Sequence, residues 1–167
     1  SDEGLNHLSS TLTSLTSLQH LSLAFTSCYM ISDKGLNHLS SSLTSLQHLS
    51  LDFSLCNISD EGLNHLNSGL ISLTSLQHLS LNFSWCDNIS DEGLNHLSSS
   101  LTSIQRLFLD FTNCKKISDE GLNHLSSSLT SLTSLQHLFL NFSRCDKISD
   151  EGLNHLSSSL TSLTSLQ

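Results

Sequence analysis

Apolar and polar residues alternate strictly in short stretches that recur along the chain. Residues 79–84 read LSLNFS, so every second side chain is apolar. This period of two predicts a half-buried strand in which Leu79, Leu81 and Phe83 face the interior. Equivalent stretches predict five parallel strands, centred on Leu21, Leu49, Leu79, Leu107 and Leu138.

A helical period follows each predicted strand. Leu94, Leu97 and Leu101 are spaced by three and four residues, which is the apolar stripe of a helix. Ser90 precedes two carboxylate residues, so we expect it to be the N-cap of a helix whose dipole favours those charges. The same signal predicts helices that begin after Ser32, Ser59, Ser90, Ser118 and Ser149.

The strand and helix signals recur together at a nearly fixed period. The first leucine of the LQHL motif, or its isoleucine equivalent, occurs at positions 18, 46, 76, 104, 135 and 166, with spacings of 28, 30, 28, 31 and 31 residues. Such a period is typical of a solenoid, in which each unit buries its apolar face against its neighbours. The two shorter repeats, 18–45 and 76–103, lack a three-residue LTS unit that the other repeats contain. In those other repeats, the unit should lengthen the convex side by nearly one helical turn.

The repeat predicts one array over residues 1–167. It comprises a partial repeat at 1–17, five repeats at 18–45, 46–75, 76–103, 104–134 and 135–165, and the start of a further repeat at 166–167. We predict an α/β solenoid shaped like a horseshoe, with a parallel concave sheet and convex helices, because strand–helix–strand connections are right-handed.

The repeated pattern LxxLxLxFxxCxxISDxGLxxLxxxL resembles leucine-rich repeats over essentially the whole chain. It is most similar to the cysteine-containing and ribonuclease-inhibitor-like types, which share its ISDEGL helix start. The resemblance implies a non-catalytic scaffold that binds proteins through its concave sheet and the loops after the strands. It also implies a further option, the substrate-recognition arm of a ubiquitin-ligase adaptor, which would need an F-box-like segment that these residues lack.

Charge and composition exclude several other classes of function. The formal net charge of −9 argues against nucleic acid as the main partner. The chain has no run of 18 apolar residues, so we expect no membrane span. It also has no phosphate loop, HExxH motif or nucleophile elbow, so we expect no enzymatic activity and no cofactor.

Cysteine and histidine each occur at repeated positions. The five cysteines occur once per repeat, so we expect buried, reduced thiols and a reducing, cytoplasmic location, and no zinc site. One row of histidines precedes the strands and a second lies on the helices. These rows are either a metal array or pH sensor, or exposed residues copied with each repeat. The second interpretation, exposed residues copied with each repeat, is favoured because no Asp or Glu is expected at a position where it could pair with these histidines.

Sequence differences between repeats concentrate at the strand surface and in the loop after the strand. Such variation is expected of a recognition surface, and equally of drift in an unconstrained loop. The first interpretation predicts a binding site for a protein ligand of unknown identity at Leu55, Trp85, Asn113, Arg144, Lys115, Lys116, Phe108, Phe139, Asp52, Asn82, Asp110, Asn141, His48, His78, Arg106 and His137. The alternative is a structural or spacer array, or an engineered consensus array, with no evolved ligand.

The two ends of the array have no polar capping sequence. Terminal repeats of a solenoid usually carry one, because their outer face would otherwise expose apolar residues. We therefore expect flanking repeats or a cap, or end-to-end self-association of the chain.

Overall fold

The computed structural model describes residues 1–101 and 104–167 as alternating strands and helices. The strands are His20–Ala24 (β1), His48–Asp52 (β2), His78–Asn82 (β3), Arg106–Asp110 (β4) and His137–Asn141 (β5). The helices are Asp2–Leu12 (α1), Asp33–Ser40 (α2), Asp60–Ile71 (α3), Asp91–Ser98 (α4), Asp119–Leu129 (α5) and Asp150–Leu160 (α6). Every predicted strand centre lies in a strand, and each predicted helix begins directly after its serine.

The predicted boundary between the third and fourth repeats falls at residues 103 and 104, so it lies partly outside the described residues. The repeats on both sides of it contain the expected strand followed by a helix.

The strands form one parallel sheet in the order β1-β2-β3-β4-β5. Each strand therefore pairs with the next strand along the chain, and the intervening helix provides the crossover that parallel pairing requires. The pairing is in register, so equivalent residues of successive repeats lie side by side, as Leu49 does with Leu79 and Leu79 with Leu107. The predicted parallel horseshoe topology is confirmed.

The core lies between the sheet and the helices. Leu79, Leu81 and Phe83 are buried, as the alternation predicts. The phenylalanine that follows each strand stacks on its neighbour, with ring centroids 6.0 Å apart for Phe53 and Phe83 and also for Phe83 and Phe111. Truncating a buried phenylalanine costs roughly 3–5 kcal/mol, so this ladder contributes strongly to the stability of the array.

Helix length follows the three-residue difference between the repeats. Helices α2 and α4, in the short repeats, have eight residues, whereas α5 and α6 have eleven. In α4 the predicted stripe continues beyond the helix, because Leu101 is buried but follows the last helical residue, Ser98. The extra LTS unit therefore lengthens the convex helix and adds one buried leucine after it, such as Leu132 after α5.

A ladder of aspartates and serines connects successive repeats at the starts of their helices. Asp60 accepts hydrogen bonds from the amide of Ser90 at 2.7 Å and from its hydroxyl at 2.6 Å. The Ser90 hydroxyl in turn accepts a bond from the amide of Glu92 at 3.3 Å and so caps α4. The first aspartate of each helix thus holds the N-cap of the next helix, in addition to its favourable position at the helix dipole.

The glycine of the ISDEGL motif is required by this ladder. A Cβ atom added to Gly93 would lie 2.5 Å from the Asp60 carboxylate and 2.9 Å from Leu63. The helix can approach the preceding repeat this closely only because Gly93 has no side chain.

The described part of the chain contains no helix that is both long enough and apolar enough to cross a membrane.

Candidate functional site

The concave face of the sheet presents three parallel rows of side chains. The first row comes from the strand starts, at His20, His48, His78, Arg106 and His137. The middle row reads Ser22, Ser50, Ser80, Phe108 and Phe139, and the last row reads Ala24, Asp52, Asn82, Asp110 and Asn141. The first two rows line a shallow concavity of about 500 Å³, so the fold brings these predicted site residues together.

Phe108 and Phe139 form an exposed aromatic pair in the middle row. Their ring centroids are 4.4 Å apart and the rings are parallel within 3°. Phe108 is 36% exposed and Phe139 is 47% exposed, whereas the first three repeats carry serine here. Stacked aromatic rings bury a large area when covered, so this pair is the main apolar surface of the concave face.

The last row makes hydrogen bonds within the protein. Asp52 accepts bonds from the amide and hydroxyl of Ser54 at 2.9 and 2.6 Å. Asn82 does the same for Ser84, and its amide group donates to Asp52 at 3.2 Å. Asp110 and Asn141 are joined in the same way at 3.0 Å. The alternation of Asp and Asn therefore lets neighbouring repeats bond to each other, and these four predicted site residues also hold the turns after their strands.

The residue before each cysteine has a left-handed backbone. Its φ is 59° at Leu55, 63° at Trp85, 62° at Asn113 and 63° at Arg144. Each of the first three donates its backbone N–H to a carbonyl of the next repeat, as Trp85 does to Thr112 at 2.7 Å. This conformation suits asparagine and costs roughly 1–2 kcal/mol for most other residues, so at Leu55 and Trp85 the hydrogen bonds to the next repeat offset that cost.

Trp85 and Arg144 meet on the rim although they come from repeats that are not adjacent. The Arg144 guanidinium carbon lies 5.7 Å from the centre of the Trp85 ring, and 44% of Trp85 remains exposed. Asn113, which lies between them in the repeat order, is only 5% exposed and offers little surface to a partner. Leu55 is half-buried. The rim cluster is therefore a cation–π pair rather than a continuous row.

Other predicted rim residues are basic and exposed. Lys115 and Lys116 both lie at the surface, and the Lys116 ammonium group donates to the side chain of Asn88 at 3.1 Å. At the other end of the same rim, Tyr29 and Met30 are highly exposed apolar residues that the predicted site omitted. Their position after Cys28, where other repeats carry Asn, Asp or Lys, was the signal that could have identified them.

The five thiols are free, and four of them are buried as predicted. Cys86 donates a hydrogen bond to the carbonyl of Phe53 at 3.4 Å, and burial raises the pKa of its thiol to about 12. The expectation of five buried thiols is wrong for Cys28, which is half-buried because no earlier strand covers β1 within the described chain.

The helix histidines have acidic neighbours, contrary to the expectation from the sequence. His65 lies 3.4 Å from Glu61, one helical turn earlier, and the pairs of His96 with Glu92 and of His124 with Glu120 have the same distance. The expectation that no Asp or Glu lies at a partner position is wrong for these histidines, because residues four positions apart share a helix face. Among the described residues, no group of three or more His, Cys, Asp or Glu side chains is placed to hold a metal ion.

Three solved structures illustrate the folds to which this chain is similar. The C-terminal domain of tropomodulin from Caenorhabditis elegans is 17% identical, with a TM-score of 0.62, and the match covers 93% of this chain and 92% of that chain. Actin-binding site 2 of leiomodin-1 is 15% identical, with a TM-score of 0.59 and coverage of 92% and 87%. A chain of the yeast Rad7–Elc1 complex is 18% identical, with a TM-score of 0.51 and coverage of 99% and 49%.

The comparison with curated proteins gives no match. A family model described as "Leucine Rich repeat" matches residues 40–66, 72–98 and 128–157, which together make up half of the chain. Each matched segment contains one strand and all or the first part of the helix that follows it. The chain therefore belongs to the leucine-rich-repeat family.

Proposed function

We propose that this chain is a non-catalytic scaffold that binds a protein partner across its concave sheet and the rim beside Trp85. The observation that carries the proposal is the stacked, exposed pair of Phe108 and Phe139 on a sheet face where the equivalent residues are serine in three repeats. A phenylalanine exposed to water contributes nothing to the core, but it becomes favourable when a partner covers it.

The rim provides a second anchor for the same partner. Trp and Arg are the residue types that most often dominate protein interfaces, and here Arg144 lies over the exposed ring of Trp85. Lys115 and Lys116 lie on the same rim and would steer acidic or mixed segments towards it. Leucine-rich repeats commonly mediate protein–protein interactions, and leiomodin-1, whose site has a similar fold, uses that site to bind actin.

The test is capture of partners from a lysate with matched variants of the chain. Phe139→Ser restores the residue of the first three repeats, so it should fold normally, and Trp85→Ala removes the rim anchor. The control is Ile71→Ser, which changes an exposed apolar residue at the end of helix α3, away from the concave face.

A protein captured by the parent and by Ile71→Ser, but not by the two site variants, is the expected result. Measured with the purified partner, each site variant should weaken binding by about 2 kcal/mol or more, with an unchanged melting temperature. If both variants bind as tightly as the parent, the partner uses another surface and the proposal fails.

End-to-end self-association is a second candidate, and one observation favours it. Leu153 on α6 is 54% exposed, although its equivalents Leu94 and Leu122 are buried against the helix of the next repeat. The same face presents Asp150, whose equivalents hold the serine of the following helix. The complementary face of a second copy carries Ser1 and Gly4 of α1, which are exposed. Their equivalents Ser149 and Gly152 meet Asp119 and Leu122 of the preceding helix, so a heterologous contact between copies would repeat this packing.

Sedimentation velocity over a wide concentration range tests this candidate. The parent chain should form larger species as its concentration rises, and Leu153→Glu should abolish them. Ile71→Glu places the same charge at an exposed apolar residue outside the end face and should not. A parent chain that stays monomeric, or association that survives Leu153→Glu, would refute the end-to-end contact.

A further inference from the structure

The row of residues at the strand starts is a stacked array of imidazoles that ends in a guanidinium group. The His20 and His48 rings are stacked, with centroids 4.1 Å apart, and the His48 and His78 centroids are 3.9 Å apart. Arg106 follows His78 in the next strand, and His137 follows Arg106. All five side chains line the concavity that the aromatic pair also lines.

The groups facing this row are almost all basic. His48 lies between His20 and His78 of the two neighbouring strands, and the charge of Arg106, one strand further, also acts on it. The charges of His20, His48, Arg106 and His137 act on His78. The carboxylates of the same face, on Asp52 and Asp110, lie four residues further along their strands. That separation is about 13 Å, which exceeds the screening length of about 8 Å at physiological salt.

Protonation of His48 and His78 is disfavoured in the free protein. Burial lowers the pKa of His48, and the nearby charges of His20 and Arg106 lower it further. Burial lowers the pKa of His78 too, with added effects from His48 and Arg106. A proton added to His48 or His78 therefore meets the positive charge of Arg106. A bound anion would offset that repulsion and favour the charged form.

We propose that this row binds the carboxylates of an acidic, extended segment of the partner protein, and that the segment binds more tightly at acidic than at neutral pH. The inference rests on the proposed function, because the segment would occupy the same concave face. Its apolar side chains would cover Phe108 and Phe139 while its Asp or Glu side chains pair with the row.

A nucleic acid fits the surface less well than an acidic protein segment. A nucleic acid carries a charge at every phosphate, and the chain has a net charge of −9 with Asp52 and Asp110 on the opposite side of the groove. A peptide can carry its carboxylates on one side alone, so that they pair with the histidine row while neutral groups lie near the aspartates.

The test uses a random peptide library displayed on phage, selected on the immobilised chain at about pH 5.5. Selected peptides should be enriched in Asp or Glu together with aromatic or aliphatic residues. Made synthetically, they should bind about tenfold tighter at pH 5.5 than at pH 7.5, because a paired carboxylate favours the protonated imidazole and binding therefore takes up protons. A single-stranded oligonucleotide is measured in parallel and should bind more weakly.

Two pairs of substitutions locate the effect. The double variant His48→Gln and His78→Gln should lose the pH dependence. The matched control, His65→Gln and His96→Gln, changes two helix histidines outside the concave face and should keep it.

Three results would overturn the inference. Peptides that lack acidic enrichment, or that bind equally at both pH values, refute it, and so does tighter binding of the oligonucleotide. If one of these results is found but the selected peptides no longer bind to the Phe139→Ser variant, the concave face binds proteins and only the carboxylate inference fails. If Phe139→Ser has no effect, or no peptide is recovered, the proposed function loses its support as well.

Discussion

Both oxygens of the Asp91 carboxylate accept hydrogen bonds from Ser118, one from its backbone amide and one from its hydroxyl, each at 2.7 Å. Asp91 lies at the start of α4 and Ser118 caps α5, so the pair joins two repeats. Asp91 also accepts a bond from the amide of Gly121 at 3.0 Å. One carboxylate therefore satisfies three donors at the start of the next helix.

Removing this carboxylate should destabilise the array. We expect Asp91→Ala to lower the free energy of unfolding by about 1–3 kcal/mol, because partly buried donors lose their acceptor. Urea denaturation of the purified chain measures the change. Asp150→Ala is the matched control, since Asp150 occupies the same position in α6 but caps no later helix within the described chain. Equal losses in the two variants would mean that the ladder contributes nothing.

A methyl group at the motif glycine should be poorly tolerated. Gly93→Ala places a Cβ atom 2.5 Å from the Asp60 carboxylate, so the two repeats must move apart. Overpacking of this kind typically costs 1–3 kcal/mol. In Gly4→Ala the nearest atom would be the Ser1 hydroxyl oxygen at 3.7 Å, so this control should be neutral or gain up to about 1 kcal/mol from helix propensity. Thermal melts of both variants measure the difference, and equal melting temperatures would contradict the steric account.

The left-handed position before the cysteine should accept asparagine with a gain in stability. Ser27 has a φ of 60° and is half-buried, so its replacement loses no large apolar contact. Asparagine adopts this conformation more readily, so Ser27→Asn should stabilise the chain by about 0.5–1 kcal/mol in urea denaturation. Ser27→Ala keeps the backbone cost and serves as the comparison. A Ser27→Asn variant no more stable than Ser27→Ala would show that backbone strain at this position is negligible.

Thiol labelling should separate Cys28 from the other four cysteines. Cys28 is half-buried, whereas Cys56, Cys86, Cys114 and Cys145 are buried. A thiol reagent at about pH 8 should therefore label one cysteine quickly and the rest only after unfolding. Cys28→Ser should remove the fast phase. Fast labelling of Cys86 in the native chain would show that the thiol ladder is open to solvent.

Stability should fall at alkaline pH because of the buried thiols. Burial raises the pKa of Cys56 to about 11 and that of Cys86 to about 12, above the value of 9.0 for an unperturbed thiol. A raised pKa in the folded state means that the stabilisation is complete below pH 9 and is lost as the pH rises towards 11–12, since only the unfolded thiols ionise. Urea midpoints at about pH 8 and about pH 10.5, with reducing agent, measure the loss.

A serine substitution tests whether the thiols cause this loss. Cys86→Ser removes one buried titrating group and should reduce the difference between the two midpoints. Cys28→Ser changes the half-buried thiol and should leave that difference close to the parent's. Identical pH dependence in the parent and in Cys86→Ser would assign the loss to other groups.

The local pattern of the chain was enough to predict its elements and their order. Alternation around Leu79 predicted a strand, and Ser90 followed by Asp91 and Glu92 predicted the start of a helix. These signals act over a few residues, and the repeat period multiplies them into one parallel array. The exposed pair of Phe108 and Phe139 could also be predicted, because in-register repeats place equivalent strand positions side by side.

Only the tertiary structure decided how side chains from different repeats meet. Asp91 reads from sequence as a helix-dipole residue, yet it caps the following helix. The sequence places Trp85, Asn113 and Arg144 in one predicted site, but only the structure shows that Arg144 lies over Trp85 while Asn113 between them is buried. Local spacing cannot reveal such contacts, because they depend on how closely the repeats stack and on a left-handed backbone that tertiary hydrogen bonds impose.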